Sequence, residues 1–100
     1  MYEIIYLPIA KKDLAEIATY ITDNLKAPMA AMDLLETLDK SISRLGEFPF
    51  SCKVYQSETL ESEYRLLPVK NYAVFYVVEE RIVVVHRVIY AKRNITKIIK

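Results

Sequence analysis

Three arginines, Arg65, Arg87 and Arg93, stand on or just beyond the apolar runs of residues 64–94, YRLLPVKNYAVFYVVEERIVVVHRVIYAKRN. From Glu63 to Lys100 there are eight Lys/Arg against three Asp/Glu, whereas Met1 to Ser62 carries six against ten. The chain as a whole is near neutral at +1, yet its C-terminal part is a basic surface of about +5. Charge polarised in this way selects an anionic partner, either nucleic acid or an acidic polypeptide. Arg87 carries a further demand. On a regular strand it shares the face of Val83, Val85 and Ile89, where an unpaired charge is expensive, so a carboxylate must meet it from a partner or from a helix of the same chain.

Other chemistry is sparse. The single cysteine, Cys52, rules out an internal disulfide framework, and one His with one Cys cannot build a zinc site of the usual spacing. No metal and no cofactor are expected. His86 reads as a hydrogen-bonded, partly buried side chain. With 53% apolar residues the 100-residue chain has ample surface to bury, which argues for one folded domain over 1–100 and leaves room for association. No apolar run approaches the roughly 18 residues needed to cross a bilayer, and the N-terminus lacks a secretory pattern, so a soluble cytoplasmic protein is expected.

The elements that must hold these residues follow from periodicity. Tyr2 to Leu7 reads as a short strand ended by Pro8. Ala10, Leu14, Ile17, Ala18, Ile21 and Leu25 recur at helical spacing, with Lys11, Lys12, Asp13, Glu16 and Asp23 mostly on the other side. After a break at 24–28, Pro28 fits the first turn of a second helix whose stripe is Met32, Leu35, Leu38, Ile42 and Leu45. Gly46 sits where a left-handed cap is expected. Residues 47–62 read as a loop pinned at its start by Phe48 and Phe50, with a mobile tip near 56–61. Then Glu63–Val69, Tyr72–Val78 and Ile82–Tyr90 form an antiparallel meander, and Asn94 could cap a last helical turn.

The predicted fold is α+β, in the order β-α-α-β-β-β, with a helical hairpin packed on one face of a mainly antiparallel sheet. Both alternating residue sets of the last two strands are largely apolar. The face away from the helices is therefore expected to be covered by a protein partner or by the long loop, the alternative being central strands that tolerate valine on a wet face.

Four segments carry a family resemblance: AKKDLAEIATYI (Ala10 to Ile21) behind the opening strand, SRLGEFP (Ser43 to Pro49), YRLLPVKNYAVFYVV (Tyr64 to Val78) and RVIYAKRN (Arg87 to Asn94). In order and spacing they resemble the RelE/ParE superfamily of bacterial type II toxin-antitoxin modules. The resemblance implies a growth-inhibiting toxin bound by a cognate antitoxin through an acidic or amphipathic segment, as a hetero-oligomer or alongside a homodimer. RelE-like members are mRNA endonucleases acting on the ribosome, and ParE-like members inhibit DNA gyrase.

In the nuclease branch a base takes the ribose 2′-OH proton, cations stabilise the phosphate and an acid protonates the leaving oxygen, without a metal. The resemblance places Arg65 and Arg93 at basic positions of that site and Tyr90 at its aromatic acid/base. Partner contact is the other role open to Arg65, Arg87 and Arg93. The departures are Ala73, where the nuclease branch has an arginine, Leu67, where it has a lysine, and a tail without a tyrosine after Arg93. Moreover, Arg87 and Tyr90 are three apart on a strand and face opposite ways unless a bulge intervenes. The phrase RLLPVKNYAVFY is closer to the ParE-like, plasmid-stabilisation branch. Gyrase inhibition is the leading expectation, a ribosome-dependent ribonuclease the alternative, and an inactive antitoxin-binding member the third.

Overall fold

The computed structural model describes residues 1–55 and 63–91. The expected tip of the long loop, Arg93 and the cap at Asn94 lie outside them. Strand β1 (Glu3–Tyr6) leads into helix α1 (Pro8–Thr19), helix α2 is Pro28–Ser43, and the meander is β2 (Arg65–Val69), β3 (Tyr72–Glu79) and β4 (Ile82–Tyr90). The sheet order is β1-β4-β3-β2. β2, β3 and β4 pair antiparallel, and β1 lies parallel to β4, with Ile4 opposite Val83 and Tyr6 opposite Val85. This is the α+β arrangement expected from the sequence. Both helices begin on proline in the first turn, where the missing N–H has no intrahelical partner to lose.

The core lies between the helical hairpin and one face of the sheet. Ala10 of α1 and Leu38 and Ile42 of α2 pack with Val69, Val74, Val85 and Val88, with Leu14, Ile17 and Leu34 at the margin. The stripe of α2 holds at Leu38, Ile42 and Leu45, which are buried, but not at its start: Ala31 and Leu34 face inward, and Met32 is 63% exposed. Leu25 is likewise outside the core, because α1 ends at Thr19 and the chain continues as a π-turn over Tyr20–Asn24.

Gly46 is not a left-handed cap. It ends a 3₁₀ turn, Arg44–Gly46, without a positive φ. Its missing Cβ matters for another reason: one built there would stand 3.2 Å from the Tyr2 carbonyl oxygen. That close approach lets Tyr2 N–H donate to the Gly46 carbonyl at 2.8 Å and ties β1 to the end of the hairpin. Among the described residues the left-handed ones are Lys26, Lys70 and Glu80, and the last two open the two-residue turns of the meander, where such a φ is required. The second turn is therefore Glu80-Arg81, and Glu79 belongs to β3.

On the outer face the chain supplies part of the cover. Ala73, Phe75 and Ile89 are buried beneath Tyr55, Tyr64 and Leu66, with the Tyr55 ring edge-on to Phe75 at 5.4 Å. The same segment shields the free edge of β2: Val54 bridges to Arg65, Tyr55 N–H donates to the Tyr64 carbonyl and Leu66 N–H to that of Lys53. Pro68 further along this edge offers no N–H to a stray strand.

Candidate functional site

Arg87 owes its position to a β-bulge. Phe75 stands opposite Arg87 and Tyr76 opposite Val85, so His86 is an extra residue in β4. The bulge reverses the parity expected of a regular strand. Val83, Val85 and Val88 all face the helices, and Ile89 faces outward. The guanidinium reaches α1, where Asp13 accepts from Nε at 2.8 Å and from Nη2 at 3.0 Å. Asp13 also accepts from Val88 N–H at 3.0 Å.

The carboxylate that the sequence demanded for Arg87 thus comes from within the chain. Hydrogen bonding to Asp13 raises the arginine pKa above its ordinary value, with burial opposing. Asp13 is the one buried charged side chain among the described residues. Sequence reading placed it on the polar side of α1. Its spacing from Ala10 and Ile17, three and four residues, sets it within the apolar stripe, and that was the available signal.

Arg65 is also engaged. Its Nη1 donates to the Cys52 carbonyl at 2.7 Å, Nη2 lies 3.5 Å from Glu63 Oε1, and the guanidinium carbon sits 5.0 Å from the centre of the Phe50 ring. The side chain is only 16% exposed. Phe48, expected to pin the loop, is largely exposed; Phe50, though also exposed, meets Tyr2 edge-on at 6.3 Å as well as the Arg65 guanidinium, and a further tie comes from Pro49. Its carbonyl accepts from the wholly buried Tyr76 hydroxyl at 2.9 Å. Burial, reinforced by Cys52, raises the Tyr76 pKa above the ordinary phenol value. Arg65, Tyr76 and Pro49 close this end of the molecule.

The opposite end is open. Between α1, the π-turn, the start of α2 and the β2–β3 turn lies a groove of ≈ 940 Å³ lined by Ile17, Tyr20, Leu25, Leu34, Tyr72 and Tyr90, with Asp13, Glu16 and Lys70 as its charged members. A π-turn widens the helix by one residue, and such turns recur at functional sites. Here it leaves Tyr20 and Leu25 more than half exposed at the rim. Tyr90 belongs to this groove, edge-on to Tyr72 at 5.7 Å. Burial raises the Tyr72 pKa, and the phenols of Tyr90 and Tyr20 add to it.

His86 lies apart from Arg87 and Tyr90. Its Nδ1 is 3.1 Å from the Tyr64 hydroxyl and the rings meet edge-on at 5.0 Å, which fits the expected hydrogen-bonded, partly buried histidine. Burial lowers its pKa. Neutral imidazole can accept from the phenol at Nδ1. Among the described residues no group of three or more His, Cys, Asp or Glu could hold a metal ion, and no helix is long and apolar enough to cross a membrane. The candidate set Arg65, Arg87 and Tyr90 is therefore spread over separate environments.

A hairpin on a four-stranded sheet, with one end tied shut and the other open, describes a small α+β domain. The family model for the ParE toxin of type II toxin-antitoxin systems, parDE, matches residues 4–95. The chain belongs to the ParE toxin family and is the toxin component of such a system. Among solved structures it is similar to the chromosomal ParDE toxin-antitoxin system from P. aeruginosa, at 16% identity over 92% of this chain and 98% of that one, with a TM-score of 0.77. A chain of the RelB-RelE antitoxin-toxin complex from Methanococcus jannaschii aligns at 17% identity over 88% of this chain and 91% of that one, with a TM-score of 0.47. A comparison with curated proteins found no significant match.

Proposed function

We propose that this toxin acts by binding DNA gyrase rather than by cutting mRNA, and that a cognate antitoxin neutralises it. The observation that carries the choice of target is the state of the arginines. A phosphoryl-transfer site needs cations aimed at the place where negative charge develops. Arg65 is spent on the Cys52 carbonyl, Phe50 and Glu63, and Arg87 on Asp13. Ala73, standing where the nuclease branch has an arginine, is 2% exposed beneath the outer tyrosines. Tyr90 faces other phenols in the groove, whose lining includes neither Arg65 nor Arg87. The match to the ParE toxin family supports the same choice.

Induced expression in bacteria is expected to arrest growth, and co-expression of the neighbouring reading frame to restore it. Purified toxin should block supercoiling or trap cleaved DNA in a gyrase assay while ribosome-bound mRNA stays intact. New mRNA 5′ ends at the ribosomal A site, abolished by Arg93→Ala, would overturn the gyrase reading in favour of the ribonuclease. Unimpaired growth at verified soluble expression would leave an inactive antitoxin-binding member.

A further inference from the structure

We draw no further inference here: the strongest candidate, the apolar groove between the π-turn and the β2–β3 turn, in which Glu16 faces Arg87 and shares the lining with Lys70, has no unbalanced charge to select an occupant, and nothing in the structure shows what covers it.

Discussion

The two ends of the space between hairpin and sheet are built from similar material and behave in opposite ways. At one end Leu45, Tyr76 and Val83 form a buried cluster with Tyr2 and Cys52 beside it, and the 47–55 segment folds over it, tied by the Tyr76 hydroxyl and the Arg65 guanidinium. At the other, Tyr20, Leu25, Tyr72 and Tyr90 surround an unfilled groove. Aromatic and aliphatic side chains line both. At the closed end the carbonyls of Cys52 and Pro49 accept from Arg65 and Tyr76, whereas at the open end the π-turn leaves Tyr20 and Leu25 more than half exposed. Stability should therefore concentrate toward the closed end of the molecule, with substitutions in the open groove costing less.

The Asp13–Arg87 pair joins the two halves, and breaking it should have the largest effect. Arg87→Met keeps much of the stem but strands Asp13, which is 8% exposed, without its counter-charge. Unfolding free energy should fall by about 3 kcal/mol, the range for removing one partner of a buried pair. Urea denaturation measures the loss. Antitoxin affinity should remain within about threefold, and a large affinity loss at unchanged stability would show that the arginine serves the partner instead.

Tyr76→Phe tests the closed end alone. It removes one hydroxyl and leaves the Pro49 carbonyl without its buried donor, at a cost of about 1–2 kcal/mol. Proteolysis within 47–55 should become faster, with antitoxin binding unaffected. If stability does not move, the Tyr76–Pro49 bond is not what closes this end.

A smaller, pH-dependent effect belongs to the outer face. Burial holds the His86 pKa below its ordinary value of 6.5, so the unfolded chain binds the proton more tightly than the folded one. This cost is absent well above pH 6.5 and grows as pH falls through that value toward the folded pKa. Between pH 7.5 and 5.5 the parent should lose more stability than His86→Gln, and parallel curves would show that the Tyr64–His86 contact carries no proton-linked energy. The least effect on stability is expected at the open end. Tyr20→Leu should change it by less than about 0.5 kcal/mol, the usual range for an exposed position.

Much of this was legible in the chain. Pro8 at the end of the first strand, Pro28 at a helix start, the hairpin-length breaks at Lys70-Asn71 and Glu79-Glu80-Arg81, and the apolar runs of the meander fix the order of elements, because these signals are local and act through φ restriction and side-chain periodicity. The demand that Arg87 meet a carboxylate was also local, following from one charge among valines. Which carboxylate could not be read, since Asp13 is 74 residues away and only the packing of α1 on β4 brings it there. The bulge at His86 was equally hidden. An extra residue in a strand leaves no mark on composition, yet it reverses the parity of Val88 and Ile89 and decides which face Arg87 reaches. Local sequence thus determined the elements and the need for a counter-charge. The fate of Arg65, the placing of Tyr90 among other phenols and the opening of one end were decided by tertiary structure, because each depends on chain segments that meet only after the hairpin has docked on the sheet.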